Sequence, residues 1–460
     1  MKLSKGIFQV IIANIINLII SIGNGFLLPK FLSLESYAAL KTFLLYTSYI
    51  GILHLGYVDG IYIKYGGKSI SVIDTKEFTK EKRVLSIFQL GITLPIVLIA
   101  FFIGDSNLLF AAISILPVNM VFFFKFLYQA TGEFKEYRHI TNLSAILIFT
   151  LNLFFLFIIR TDISLWYIGI QVVISFIVWI YYENRNRIAG ISNKISLKEM
   201  WARLNENIHL GIIIMLGNFM GIWITSIDRW FVKIFYSVAD FAYYSFAVTM
   251  LKLINVVVTA FSVTLYNFFC KKPENEEIAM LRKIVLVVGA AIVVIIFPVE
   301  FVIRTYLEKY IYAISLIKTL FMAQFVLIEV NALYLNLYKA LNFQKKYLIQ
   351  MLIITITAFF LNGVIGYLWN DIIAYAVATF LTVFIWLILC QIDLSEYKMA
   401  HTEWIYFLFT ILICFLSSYF NIWIGMFSYI SWVIIGTFLF FSKDIKQLLG
   451  RTLISNKAEK

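Results

Sequence analysis

Apolar segments long enough to cross a lipid bilayer recur along almost the whole chain, separated by short loops. A membrane-spanning helix needs about 20 mainly apolar residues. Hydrophobic residues make up 62% of the 460 residues and charged residues only 14%, whereas soluble domains have roughly 45–50% and 25%. The sequence therefore predicts an all-α polytopic membrane protein with very little mass outside the bilayer.

About fourteen transmembrane helices are predicted. The last two are the least secure pair because little more than Asn421 separates them, and twelve is the fallback count. The first apolar segment is too long for a cleavable signal peptide, so we expect it to remain as the first span. The predicted spans are 7–29, 38–60, 84–104, 108–128, 140–159, 163–182, 208–231, 243–268, 284–303, 312–338, 348–368, 371–391, 404–420 and 422–441.

The basic residues of the loops predict the orientation. If the N-terminus is cytoplasmic, the loops and termini on that side hold 29 Lys and Arg residues, against six on the opposite side. Cytoplasmic loops are enriched in basic residues, so both termini are expected on the cytoplasmic side of a bacterial inner membrane. The net charge of +12 is explained in this way, and no nucleic-acid partner is expected.

A sparse internal repeat divides the chain into two pseudo-symmetric six-helix lobes. At an offset of 204 residues, Asn14 aligns with Asn218 and segment 33–38 aligns with segment 237–242. Six spans per unit is an even number, which gives a parallel repeat about an axis along the membrane normal. The predicted domains are an N-lobe (1–182), a cytoplasmic linker (183–207), a C-lobe (208–391), and residues 392–460 with helices thirteen and fourteen and a basic tail.

The linker contains a helix-start signal. Ser196 and Glu199 have the spacing of a capping box, in which each side chain bonds the backbone of the other residue. The residues that follow predict a short helix on the cytoplasmic interface, separate from the seventh span.

Polar side chains form stripes on several predicted spans, since residues about 100° apart along a helix recur on one face. Lipid cannot satisfy such groups, so the stripes are expected to face protein or water. Lys252 lies about nine residues from the nearer end of its span, roughly 14 Å deep, which favours a cavity. The predicted substrate-binding residues are Lys252, Lys318, Asn14, Asn17, Asn24, Asn255, Asn218 and Lys41.

The predicted gating or ion-coupling residues are Asp59, Asp228, Arg229 and Glu329. Alternatives stay open for several of these side chains. Single Asn residues can simply join helices by hydrogen bonds, and Lys41 can reach the outer interface. Lys318 and Glu329 either pair with each other or bind a ligand, and Asp228 with Arg229 forms either an interfacial ion pair or a gate.

Two further charges, Glu300 and Lys125, lie near span ends and are read as interfacial. The chain has no G-x-x-x-x-G-K-[ST] phosphate loop. We predict no catalytic residues and no metal-ligand cluster, and we do not expect the protein to be an enzyme. No cofactor is expected, and the energy source is left open between a proton and a sodium gradient.

Four segments resemble Wzx-type polysaccharide flippases of the MOP superfamily, which also contains MATE exporters and the lipid II flippase. They are GFLLPKFLS (25–33), LGYVDG (55–60), DRWFV (228–232) and FAYYS (241–245). The resemblance implies two six-helix lobes and alternating access. It also implies translocation of undecaprenyl-diphosphate-linked oligosaccharide repeat units to the periplasmic leaflet, for O-antigen lipopolysaccharide or related polysaccharide biosynthesis.

The partners implied by the resemblance are membrane lipids, the lipid-linked glycan, and other assembly proteins such as a polymerase and a chain-length regulator. The alternative function is a MATE-like ion-coupled exporter of small molecules. Such an exporter would depend more on Asp59, Asp228 or Glu329. A polymerase or ligase would need a sizeable extracytoplasmic loop, and every loop on that side is short.

Overall fold

The computed structural model describes the backbone of residues 2–186, 195–269, 273–341 and 343–458. Within these ranges, side chains are described except at 2–14, 252, 253, 255–261, 263, 264, 266, 267, 344 and 443–458.

Ten of the described helices are long and apolar enough to cross a membrane, and a bent pair of helices adds an eleventh span. Shorter apolar helices at Ile15–Phe31, Val238–Leu251 and His401–Ser417 coincide with the remaining predicted spans. All fourteen predicted spans therefore fall on helices, and no strand occurs in the described ranges. The prediction of an all-α polytopic membrane protein is confirmed.

The first compact unit is Met1–Ser226. In it α1 packs along α6, while α5 packs against both α4 and α7. Tyr57, Phe123, Phe124 and Tyr182 belong to its core and are almost completely buried. The α-helices of this unit are α1 (Lys2–Phe31), α2 (Leu34–Thr47), α3 (Tyr57–Tyr65), α4 (Thr75–Ile103), α5 (Ser106–Ala130), α6 (Phe134–Phe154), α7 (Ser164–Arg185) and α8 (Leu197–Ile224).

The second compact unit is Ile227–Lys460. Its α-helices are α9 (Ile227–Phe235), α10 (Val238–Phe269), α11 (Asn275–Val293), α12 (Ile296–Tyr306), α13 (Ala313–Glu329), α14 (Leu335–Ala340), α15 (Gln344–Trp369), α16 (Ile373–Asp393), α17 (His401–Ser417) and α18 (Ile422–Ala458). The π-helical turn Val330–Tyr334 joins α13 to α14. This combined span is 78% buried over its apolar window, so it forms the centre of the unit.

The second predicted span is broken where α2 gives way to α3. Leu55 and Gly56 have φ angles of 49° and 85°, in the left-handed region. Glycine adopts this region without steric cost. The two helical parts are bent by 58°. The bend turns the first residues of α3, including Asp59, toward α8.

The seventh predicted span, 208–231, is not one helix. α8 ends at Ile224 and α9 begins at Ile227, with Thr225 and Ser226 between them. The Thr225 hydroxyl donates to the carbonyls of Gly221 and Ile222, at 3.0 and 3.2 Å. Hydroxyls that bond the preceding turn compete with the helical backbone, and a purely hydrophobic window does not detect the resulting end.

The predicted interfacial helix is also different in the structure. The Ser196 hydroxyl accepts a hydrogen bond from the Glu199 backbone N–H at 3.2 Å, so Ser196 caps a helix as expected. That helix is α8 itself, which runs without a break from Leu197 into the seventh span. The Glu199 carboxylate does not serve the cap, because it pairs with Lys80 and Arg203 at 2.7 and 3.0 Å.

The 204-residue offset has a local structural counterpart. α2 begins at Leu34 and α10 at Val238. Ser33 Oγ accepts the backbone N–H of Ser36 at 3.2 Å, and Ser237 Oγ accepts that of Asp240 at 3.1 Å. The two aligned loops thus start their helices with the same serine cap, while the division into predicted lobes stays a prediction.

The last two predicted spans are separate helices that pack on each other. Asn421 Oδ1 accepts the Trp423 backbone N–H at 3.1 Å and helps to start α18. The Trp432 indole donates to Thr410 Oγ1 at 3.0 Å and stacks on Tyr406 with ring centroids 6.0 Å apart. The single asparagine that divides the apolar run is therefore enough to turn the chain.

Candidate transport site

Two asparagine pairs join α1 to α6 in the first unit. Asn17 Nδ2 donates to Asn142 Oδ1 at 3.3 Å, and Asn152 Nδ2 donates to Asn24 Oδ1 at 3.0 Å. The predicted stripe on the first span thus contacts another helix, as the interhelical alternative requires. Asn14 lies outside the described side chains.

Asp59 and Asn218 come together, although 159 residues separate them. Asn218 Nδ2 lies 3.5 Å from Asp59 Oδ1, and His54 Nε2 lies 3.8 Å from Asp59 Oδ2. The Asp59 side chain is buried. The carboxylate therefore has weak, long contacts, which is the condition in which a proton or a cation would change its interactions most.

This arrangement depends on a glycine contact between α3 and α8. A Cβ atom on Gly211 would lie 2.0 Å from the Gly56 carbonyl oxygen, and one on Gly60 would lie 2.0 Å from the Asn207 carbonyl oxygen. Only glycine permits the two backbones to approach so closely. The sequence places α3 and α8 in different predicted lobes, but the structure holds both within the first compact unit.

A buried ion network lies at the same contact, and none of its residues is among the predicted site residues. Glu81 of α4 is fully buried. Its carboxylate binds Lys64 at 3.0 Å, Arg203 at 3.1 Å, Asn207 at 2.9 Å and the Tyr57 hydroxyl. Apart from Tyr57, which belongs to the second predicted span, these residues lie in predicted cytoplasmic loops, so the sequence carries no signal of their burial.

Asp228 of the second unit is buried and fully bonded. Its Oδ2 accepts the hydroxyl protons of Tyr244 at 2.8 Å and Thr379 at 3.1 Å. Its Oδ1 accepts the backbone N–H of Arg229 at 2.7 Å. No salt bridge joins the side chains of Asp228 and Arg229 in the described contacts, and the Arg229 Nε is buried without a partner. The carboxylate thus connects α9, α10 and α16.

Lys318 pairs with Glu300 and not with Glu329. The Lys318 ammonium lies 2.8 Å from Glu300 Oε2 and donates to the Ser418 carbonyl at 3.1 Å. Arg304 holds the other oxygen of Glu300 at 2.8 Å. The Glu300 side chain is buried, while its interfacial position in the membrane stays a prediction. The Lys318 charge is neutralised within the unit.

Glu329 is fully buried at the start of the π-helical turn. Neither carboxylate oxygen has a hydrogen-bond partner in the described part of the chain. The buried pair of Arg282 and Glu403, 2.7 Å apart, lies within electrostatic range. The other polar member of this predicted stripe, Asn336, bonds Ser262 Oγ at 2.8 Å. One predicted stripe thus serves several unrelated contacts.

Of the remaining predicted substrate-binding residues, the structure describes the side chain of Lys41 but not those of Lys252 and Asn255. The Lys41 ammonium lies 4.9 Å from the centroid of the Tyr37 ring. Lys252 and Asn255 lie outside the described side chains, although α10 contains both residues. Their roles stay predictions.

Lys125 of α5, for which the sequence predicts an interfacial position, lies beside two aromatic rings. Its ammonium lies 5.8 Å from the ring centroid of Tyr137 and 6.0 Å from that of Phe122. In the described ranges no carboxylate pairs with it. Aromatic faces attract a cation at such distances.

Comparisons with known proteins identify the fold. No family model and no curated protein matches the chain. Among solved structures, the lipid II flippase MurJ in an inward closed conformation is 15% identical and has a TM-score of 0.69 over 96% of this chain and 99% of that one.

Two structures of multidrug resistance MATE family transporters of the MOP superfamily are each 14% identical. The inward-facing one has a TM-score of 0.57 over 84% of this chain and 99% of that one. The outward-facing one has a TM-score of 0.52 over 86% and 97%. Identities this low show the fold alone, and that fold is the one shared by MurJ and the MATE transporters.

Proposed function

We propose that the protein is a flippase that translocates undecaprenyl-diphosphate-linked oligosaccharide repeat units from the cytoplasmic to the periplasmic leaflet. The units would serve O-antigen or a related surface polysaccharide, and both termini would lie in the cytoplasm of a bacterial cell. The observation that carries the proposal is the likeness to a lipid II flippase over 96% of the chain. Lipid II flipping is the named activity of that neighbour, and it too concerns a lipid-linked cargo.

The chemistry of the cargo agrees with the interior of the helices. A diphosphate sugar head cannot cross hydrocarbon without partners, because each unsatisfied polar group costs several kcal/mol. Amide side chains such as Asn17 and Asn24 can exchange their bonds to asparagines of α6 for bonds to sugar hydroxyls. Cations that no carboxylate neutralises can hold the diphosphate.

The cations are therefore ranked by their partners. Lys125 lies beside two aromatic rings, and no carboxylate pairs with it in the described ranges. The deep position of Lys252 on α10 stays a prediction. Lys318 is the weakest choice of the three, because Glu300 already balances its charge. We expect Lys125 and Lys252 to bind substrate and Lys318 to stabilise the second unit.

The experiment is complementation of a strain that lacks its polysaccharide flippase, read as surface polysaccharide. We expect Lys125→Ala and Lys252→Ala to reduce the product at least tenfold at equal membrane levels, while Lys125→Arg keeps most activity. Lys345→Ala, an exposed lysine of α15 with no described partner, is the control. Full activity in both alanine variants would contradict the cationic-site proposal.

A MATE-like ion-coupled exporter of small molecules is the second candidate. It is favoured by Glu329, a buried carboxylate without hydrogen-bond donors, because such a group responds strongly to a proton or sodium ion. Efflux of cationic dyes from cells that express the protein separates the two functions. Dye resistance without polysaccharide complementation would favour the exporter, and the reverse would favour the flippase.

A further inference from the structure

The first unit contains a cavity of about 540 Å³ that reaches Asn142, the hydrogen-bond partner of Asn17. Its wall is formed mainly by the first turns of α6, with Ile16 of α1 and Arg185 at the end of α7. The loop charges assign this end of α6 to the cytoplasmic side. The cavity therefore lies where the headgroups of the cytoplasmic leaflet meet the protein.

The polar part of the wall is cationic. Lys135, Arg138 and Arg185 line it together with a single acid, Glu136. Arg185 Nη2 lies 2.8 Å from Glu136 Oε1, so these two charges balance each other. The other Glu136 oxygen is shielded inside the protein. Lys135 and Arg138 have no described ion pair, and they leave the wall with two net positive charges.

Neutral donors and the helix itself add to this preference for an anion. His139 Nδ1 lies 2.6 Å from the Tyr182 hydroxyl. When Tyr182 donates its proton there, the ring proton resides on Nε2 and can be donated to a ligand. The cavity also lies against the N-terminal turns of α6, where the helix dipole favours negative charge.

The opposite part of the wall is apolar. Ile16, Leu143 and Ile146 form it, and the Ile146 side chain is 44% exposed. A free phosphate ion would leave this half of the cavity unfilled. A lipid phosphate would place its oxygens at the cations and its first carbon atoms against the apolar wall.

We infer that this cavity is a binding site for the phosphate group of an anionic membrane lipid in the cytoplasmic leaflet. Lys135 and Arg138 bind the phosphate, His139 donates a hydrogen bond, and the Ile16–Leu143–Ile146 surface accepts the start of the tail. The site does not depend on the cargo, so it stands or falls separately from the proposed function.

The test uses purified full-length protein in detergent micelles and native mass spectrometry of bound phosphatidylglycerol. We expect Lys135→Gln with Arg138→Gln to weaken binding about 30-fold, since each basic residue near an anionic lipid contributes roughly fivefold. The matched control is Lys345→Gln with Lys346→Gln, which removes the same charge from the exposed start of α15 and should leave binding unchanged.

Two further arms separate lipid from free anion and site from general charge. Glu136→Gln should strengthen phosphatidylglycerol binding about fivefold, because it releases Arg185. Inorganic phosphate at millimolar concentration should not displace the lipid, and diacylglycerol should not bind. Equal weakening by both double variants, or displacement by inorganic phosphate alone, would overturn the inference.

Discussion

At the residue scale, the described structure satisfies nearly every buried charge. Asp228 has three hydrogen-bond donors, and Arg282 makes a two-pronged contact with Glu403. Glu329 is the exception among the described buried charges, with no donor at either oxygen. Charged groups are costly to bury without partners. The Glu329 carboxylate therefore lowers the stability of the fold, and a role in transport would explain why it is present.

Glu329→Gln is expected to separate stability from transport. The amide has nearly the same volume and no charge, so burying it should cost no more than burying the carboxylate. We expect an unchanged or higher thermal unfolding midpoint in detergent and a loss of gradient-driven transport in proteoliposomes. A variant that transports at the wild-type rate would exclude Glu329 from ion coupling.

Lys318→Ala is expected to destabilise the protein by about 2 kcal/mol, because it leaves the buried Glu300 with one of its two cations. The double variant Glu300→Gln with Lys318→Gln should recover most of this loss, since no buried carboxylate is then left short of a cation and the remaining Arg304 is 48% exposed to solvent. Chemical denaturation of the purified variants measures both effects. Equal stability of Lys318→Ala and Lys345→Ala would show that the Lys318 pair contributes nothing.

At the element scale, the contact of α3 with α8 depends on missing side chains. We expect Gly211→Ala to lower stability by at least about 3 kcal/mol, because the new methyl group would collide with the backbone of Gly56 and Gly60. Gly91→Ala is the matched control, since a Cβ there meets nothing within 4 Å. Alanine in that helix interior should be neutral or slightly stabilising. Similar unfolding midpoints for the two variants would contradict the close backbone contact.

The two breaks within predicted spans differ in how clearly the sequence shows them. Gly56 is a residue type that favours a break in a helix. The apolar segment continues on both sides of it, so hydrophobicity alone does not predict the bend. At Thr225 and Ser226 the chain has only two hydroxyl residues in an apolar window. Hydrophobicity reports the solvent around a helix, not the continuity of its backbone, so spans were predicted well and their interruptions were not.

At the scale of the whole molecule, the topology remains to be tested. Alkaline phosphatase fused after residue 161 or 371 should be active, because both loops are expected outside. Fusions after residue 133 or 343 should be inactive, and the same fusions to green fluorescent protein should show the opposite pattern. Active phosphatase at residue 133 would reverse the predicted orientation and would move the lipid-phosphate cavity to the other leaflet.

The sequence by itself determined the solvent, the helix class and the segments that lie on helices, because lipid imposes its demands on every span locally. It also determined the start of α8 at Ser196, since a cap is a contact between near neighbours. The sequence did not determine which side chains pair with each other. Lys318 and Glu300, Asp59 and Asn218, and the donors around Glu81 lie on different helices.

Only the tertiary structure decided those pairs, because periodicity gives the face of a helix and not the helix that faces it. It converted a predicted polar stripe into hydrogen bonds between asparagines and neutralised one of the predicted substrate cations. It also showed that Lys125 lies beside aromatic rings and that no carboxylate pairs with it in the described ranges. A charge becomes available for a ligand when no carboxylate lies beside it, and that is a property of neighbours in space.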